Sequence, residues 1–198
     1  MRLLQGSGRM RIIAGTLKGR VLAPVRGRMR PTAAKVREAV FNILGAAIGG
    51  VRVLDLFAGT GALGIEALSR GAAAAVFVED HPQSLKVLRR NLEDLDLLDR
   101  AAVWPLPVAA AVKKLAGRGE RFGLAFLDPP YGGGAAAALS VLAAHHLLVP
   151  GARVVVEHSR RETLPEAGGG LRRLEVRRYG DTQVAFYLAE AREPQEHT

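Results

Sequence analysis

The sequence predicts an α/β fold built on an open, mostly parallel sheet that finishes in an antiparallel hairpin. Three observations predict it. From Val51 onward, short apolar runs of strand length alternate with stretches of helical periodicity, the pattern of a wound parallel sheet. A glycine-rich turn, Gly59, Gly61 and Gly64, falls between the first of these runs and a helix. Near the end, two strand-like runs are separated only by Gly180, Asp181 and Thr182, a connection too short for a parallel crossover.

In chain order, residues 1–9 read as a flexible leader. Residues 11–14 and 20–23 flank a turn bounded by Gly15 and Gly19, which predicts a small hairpin. After a connector carrying Arg26, Arg28 and Arg30, Thr32 is placed to cap a helix over residues 33–44, with Val36, Val40, Ile43 and Leu44 on one stripe. Strands are expected near 51–57, 74–79, 101–104, 123–128 and 153–157. Helices fill the gaps near 61–70, 82–95, 108–116 and 135–145. The closing hairpin pairs 171–179 with 183–189, and the polar tail from residue 190 is expected to be disordered. The domain division that follows is a basic arm over 1–31, a catalytic-type α/β domain over 32–189 and the tail.

Charge is unevenly spread. The chain of 198 residues carries a net charge of +9, yet its first 37 residues hold ten basic side chains and no acid, so the rest is almost neutral. A cationic arm on a neutral body suits a polyanion, since Lys and Arg gain affinity by releasing the counterions of a phosphate backbone. A membrane surface or simple solubility would use the same charge. The absence of cysteine excludes disulfides, thiolate metal sites and Cys nucleophiles. No apolar run approaches a membrane span and the start lacks the apolar core of a secretory signal, so a cytoplasmic protein is expected.

The glycine turn has chemical meaning through its neighbours. Glycines let the main chain approach a ligand at a helix N-terminus, and Glu79, ending the next strand, is placed to accept two hydrogen bonds from a ribose diol. That much fits NAD as well as other ribose cofactors. Asp55 closes the preceding strand, where it would repel a pyrophosphate and attract an ammonium, which favours S-adenosylmethionine; capping the loop's own N–H groups is its alternative task. Phe57 and Asp80 are counted with these cofactor-binding positions.

The fourth strand ends in Asp128, Pro129, Pro130 and Tyr131. Proline fixes φ and has no N–H, so the carbonyls before and at these positions stay available as acceptors. A carboxylate, a rigid carbonyl and an aromatic ring suit the NH₂ of a planar base. These four residues are the candidate catalytic set, with Asp128 also beside the cofactor.

These motifs, together with Arg11–Gly15, Lys18–Arg20, Arg30–Thr32, Val36–Glu38, Phe41–Asn42 and Ala58–Gly64, resemble the RsmD family of bacterial 16S rRNA guanine-N2 methyltransferases over about residues 9–188. The resemblance implies a Rossmann-like class I methyltransferase with a seven-stranded, mostly parallel sheet and an N-terminal hairpin and helix extension. It implies S-adenosylmethionine as cofactor, no metal, and 16S rRNA in a small-subunit particle as partner, with Arg11, Lys18, Arg20, Arg26, Arg28 and Arg30 holding the RNA of a monomeric enzyme. Where related enzymes place an Asp or Asn against the cofactor adenine, this sequence has Trp104, Pro105, Leu106 and Pro107, leaving either the main chain near Leu106 or a more apolar wall. Adenine-N6 methylation, a noncatalytic RNA-binding assembly factor and, more distantly, an NAD-dependent oxidoreductase are the competing readings. Arg172, Arg173, Arg177 and Arg178 on the last hairpin are either further RNA contacts or guards of an edge strand. His145, His146 and His158 have no partner motif.

Overall fold

A computed structural model of the chain describes residues 10–25, 31–130 and 134–191, with the side chains of residues 31–33 excepted. The expected leader, the arginines 26, 28 and 30, Tyr131 and residues 192–198 of the tail lie outside the described residues.

Eight strands form one sheet in the order β3 (Ala101–Trp104), β2 (Ala74–Val78), β1 (Arg52–Leu56), β4 (Phe122–Leu127), β5 (Leu148–Ser159), β8 (Thr182–Ala189), β7 (Leu171–Tyr179) and β6 (Ala167–Gly168). Strands β1, β2, β3, β4 and β5 are parallel. The hairpin of β7 and β8 runs antiparallel, with β8 inserted beside β5. Alternation along the strands decides the two faces. Val53, Phe77, Leu124 and Phe126 join a core with α1 (Pro31–Leu44), α2 (Ala62–Ser69) and α3 (Pro82–Asp94). Leu54, Leu56, Val78, Ala125 and Leu127 join a second core with α4 (Val108–Gly117) and α5 (Ala135–Ala144). The chain order therefore reverses between β1 and β4, which opens a crevice at their carboxyl ends.

The sequence expectations fail in a few places. The sheet has eight strands rather than seven, because β6 (Ala167–Gly168) pairs two residues with the exposed edge of β7; no apolar alternation marks it. Strand β5 begins at Leu148, five residues earlier than expected, its first part joined through a register shift between Phe122 and Leu124 on β4. Helix α1 begins at Pro31, so Thr32 sits inside the first turn instead of capping it, in keeping with proline's preference for the first helical position. Ile43 is 40% exposed, while Arg37 and Phe41 are buried on the helix face expected to hold it. Glu190 extends the fold past Ala189, accepting from Arg172 and donating its N–H to the Gly170 carbonyl.

The N-terminal hairpin has a single antiparallel bridge, Arg11 to Val21. It is held by the body more than by itself. Ile12 and Leu22 enter the first core, and the buried carboxylate of Glu66 accepts the N–H groups of Ile13 and Ala14 at 2.8 and 3.0 Å. Among the described residues no helix is long and apolar enough to cross a membrane.

Candidate functional site

The site is built where β1, β2 and β4 end. Asp55 lies on β1 opposite Phe77 of β2 and Phe126 of β4, its carboxylate almost wholly buried. Oδ2 accepts the N–H of Gly64 at 2.9 Å, so Asp55 satisfies a first-turn donor of α2 that would otherwise lack a partner. Burial, and then the negative charges of Asp128 and Glu79, raise its pKa to about 7 against the opposing Gly64 bond.

Glu79, one residue beyond β2, is equally engaged. Oε2 accepts the Gly59 N–H at 2.8 Å, and Oε1 accepts those of Asp80 and His81 at 3.0 and 2.9 Å. The acid fixes the glycine loop to the end of β2. Asp80 contributes its backbone here, and its side chain is exposed.

The loop itself is conformationally special. Phe57 takes φ +65°, a left-handed conformation that costs a non-glycine residue about 1–3 kcal/mol and is concentrated at functional sites. Gly61 has φ +81°, and a Cβ there would lie 2.5 Å from Leu88 of α3. Gly59, also left-handed, is half-buried with Thr60 between buried Ala58 and buried Gly61.

Asp128 is exposed at the end of β4, followed by half-buried Pro129 and exposed Pro130. The structure thus brings Asp55, Phe57, Gly59, Gly61, Glu79 and Asp128 to one edge of the sheet. Tyr131 falls outside the described residues. Asp55, whose pKa is raised first by burial and further by the negative charges of Asp128 and Glu79, lies with them in a crevice that fits a ligand with positive charge. S-adenosylmethionine carries both an ammonium and a sulfonium. Among the described residues no group of three or more His, Asp or Glu side chains could hold a metal ion.

At the stretch expected to face the cofactor adenine, the Leu106 N–H donates to the Trp104 carbonyl at 2.9 Å. This bond leaves the Leu106 carbonyl as the main-chain group that could accept from an amine, beside the apolar side chains of the same stretch. A cleft of about 340 Å³ does lie here, lined by Val103 to Leu106 with Lys114 and Arg118, but it includes none of the three acids. Arg118 and Lys114 approach the Trp104 ring at 5.0 and 6.0 Å.

The described arm cations are exposed, and two have partners. Arg11 donates to the Gly19 carbonyl, and Arg20 reaches the Asp94 carbonyl at the end of α3 at 2.7 Å. Lys18 sits at the tip. On the closing hairpin, Arg172, Arg173 and Arg177 pair with Glu190, Glu166 and Glu175. A register shift between Arg173 and Glu175 adds a bulge, so the guard role is the better account of that edge.

Sequence reasoning missed the residues that dock the arm. Glu66, Ser69 and Asn91 are all about 1% exposed and all bond the N-terminal segment. One signal was available: Glu66 is the lone charge in the apolar helix α2.

The family described as Conserved hypothetical protein 95 matches residues 10–188. A Bacillus subtilis relative, "Putative rRNA methyltransferase YlbH", is 41% identical over 90% of this chain and 98% of its own length. The structure of "Putative methyltransferase yhhF" from Escherichia coli superposes with a TM-score of 0.80 at 31% identity, covering 93% of this chain and 100% of that one. A Thermus thermophilus structure, described as a 16S rRNA N2 G1207 methyltransferase (RsmC) in complex with AdoMet and guanosine, covers 92% of this chain and 50% of that one, at 28% identity and a TM-score of 0.67. With a family match across nearly its whole length and a sheet that superposes on these enzymes, this chain belongs to the Conserved hypothetical protein 95 or RsmD family and has the fold of the class I methyltransferases.

Proposed function

We propose that the protein transfers a methyl group from S-adenosylmethionine to the exocyclic N2 amine of a guanine in 16S rRNA. The observation that carries this reading is the convergence of Asp55, Glu79 and Asp128 at the crevice where β1 and β4 part, with Pro129 and Pro130 directly after Asp128. Asp55 would face the cofactor's ammonium, Glu79 its ribose, and the strained turn from Phe57 through Gly59 and Gly61 would let the main chain approach it. When bound, the cofactor supplies a methyl made electrophilic by its sulfonium.

The residues of this chain do the rest by position. The Asp128 carboxylate and the Pro129 carbonyl accept the two amine hydrogens and hold N2 in line with the methyl, while Tyr131 stacks on the base. As the N–C bond forms, the C–S bond breaks and leaves a neutral thioether. The surplus proton on nitrogen passes to Asp128. Preorganised acceptors and alignment, rather than covalent catalysis, supply the acceleration. The target nucleotide has to be unpaired or flipped to enter.

In this reading residues 1–31 are the RNA-contacting arm and 32–189 the catalytic unit of a cytoplasmic monomer. Arg11, Lys18, Arg20, Arg26, Arg28 and Arg30 hold RNA of the small-subunit particle. Adenine-N6 methylation would use the same acceptors. Guanine is favoured by the Thermus relative, whose description names an N2 guanine activity and a bound guanosine. The test is nucleoside mass spectrometry of rRNA from a strain lacking the protein, paired with methyl transfer to its small-subunit particles in vitro. Loss of one N2-methylguanosine, restored by the purified protein, is expected. Loss of N6-methyladenosine instead would reassign the base, and no change in either would favour the assembly-factor reading.

A further inference from the structure

We infer that Asn91 is a positioning residue that locks the N-terminal arm to the glycine loop, so that occupation of the cofactor site stiffens the arm. The inference rests on the cofactor assignment above and goes beyond it.

Asn91 lies on α3, about 1% exposed, and touches neither end of the proposed reaction. Both donors and the acceptor oxygen of its amide are engaged. Oδ1 accepts the Ala23 N–H at 2.7 Å, and Nδ2 donates to the Ala23 carbonyl at 3.2 Å and to the Thr60 carbonyl at 2.9 Å. One side chain therefore pairs with both backbone groups of an arm residue and with the backbone of the residue between Gly59 and Gly61. An amide is suited to this task because a single planar group offers both an acceptor and two donors; a carboxylate or a hydroxyl lacks one of them.

A second contact closes the circuit. At the arm's other end, the Thr60 hydroxyl lies 4.0 Å from the Met10 sulfur, within reach of a weak hydrogen bond. Thr60 is thus held by the entry of the arm through Met10 and by its exit through Asn91. Gly61 rests on Leu88, three residues before Asn91 on the same helix, so α3 is the platform for loop and arm alike. In sequence, Ala23 stands three residues before Arg26, the first of the three connector arginines.

The consequence is a linkage. A ligand that immobilises residues 59–61 reduces the freedom of Thr60, and through Asn91 that of Ala23. The coupling is reciprocal in free energy, so RNA held by the arm tightens the cofactor site in turn. This accounts for burying an amide so engaged at a place with no chemistry of its own.

Amide hydrogen exchange on the full chain, with and without saturating S-adenosylhomocysteine, tests the lock without depending on RNA. In the wild type, the Ala23 N–H should slow by about fivefold or more when the ligand binds, alongside the N–H groups of residues 59–61. In Asn91→Leu the loop should still respond, while the ligand-induced change at Ala23 falls below about twofold. Asn91→Asp, which keeps the acceptor for Ala23 and loses both donors, should show the same uncoupling if Asn91→Leu folds poorly. A wild-type Ala23 that ignores bound ligand, or a variant that keeps the wild-type response, overturns the lock and leaves the cofactor reading intact. Failure of S-adenosylhomocysteine to bind the wild type overturns both.

Discussion

The buried carboxylate of Asp55 accepts the N–H of Gly64 at 2.9 Å, tying the end of β1 to the first turn of α2. That single bond holds an acid at the base of the crevice in a place where its negative charge is costly. It makes the site's pH behaviour predictable.

The folded pKa of Asp55, about 7, lies above its unfolded value near 4. The folded state therefore binds the extra proton. The stability from this group is fully present below pH 4 and is lost as pH rises through 7, with about 4 kcal/mol as an upper bound. Urea midpoints measured at pH 5 and pH 8 should differ for this reason, and Asp55→Asn should shrink the difference. S-adenosylhomocysteine, which carries the same ammonium as the cofactor, should bind more tightly as pH rises from 6 to 8, when the carboxylate ionises. Calorimetry across that range should find the pH dependence removed in Asp55→Asn.

Asp128→Ala should lower methyl transfer by about 10²–10³-fold or more, the cost of removing one preorganised acceptor. Because Asp128 is exposed, the melting temperature should change little, and S-adenosylhomocysteine affinity should be largely retained. Single-turnover transfer beside ligand calorimetry separates the two effects. Near-normal turnover in this variant would remove Asp128 from the reaction.

Glu66→Ala should cost about 3–5 kcal/mol. It strips the partner from Arg70 at 2.8 Å and leaves the Ile13 and Ala14 N–H groups without their acceptor. Arg37 suffers too: burial already lowers its pKa, and the charge of Glu66 is what opposes that shift. Denaturant unfolding measures the loss, and protease sensitivity between residues 10 and 25 should appear before global unfolding.

Reversing the charges of Arg26, Arg28 and Arg30 should weaken RNA binding and reduce its salt dependence by roughly one unit of slope per residue. Cofactor affinity should be spared. Filter retention of small-subunit rRNA from 50 to 300 mM salt, run beside ligand calorimetry, checks both. Unchanged RNA binding would return the basic arm to a solubility role.

Continuous apolar runs of strand length, separated by segments of helical period, determined the wound sheet and the order of its helices, because strands buried on both faces and helices buried on one are written locally. The acids and glycines of the crevice were equally legible: Asp55, Glu79 and Asp128 each stand at the end of an apolar run, where a parallel sheet must place them side by side. Tertiary structure alone decided what those acids do within the fold. Nothing local says that Glu79 accepts the N–H of Gly59, twenty residues back, or that Asp55 serves Gly64. It also decided how the arm is held. Beyond the few bonds across the hairpin, the N–H groups of Ile13, Ala14, Leu17 and Ala23 find their partners in the side chains of Glu66, Ser69 and Asn91, more than fifty residues away. Such bonds depend on which surfaces the packed core brings together, and that long-range outcome is carried by no single segment of the sequence.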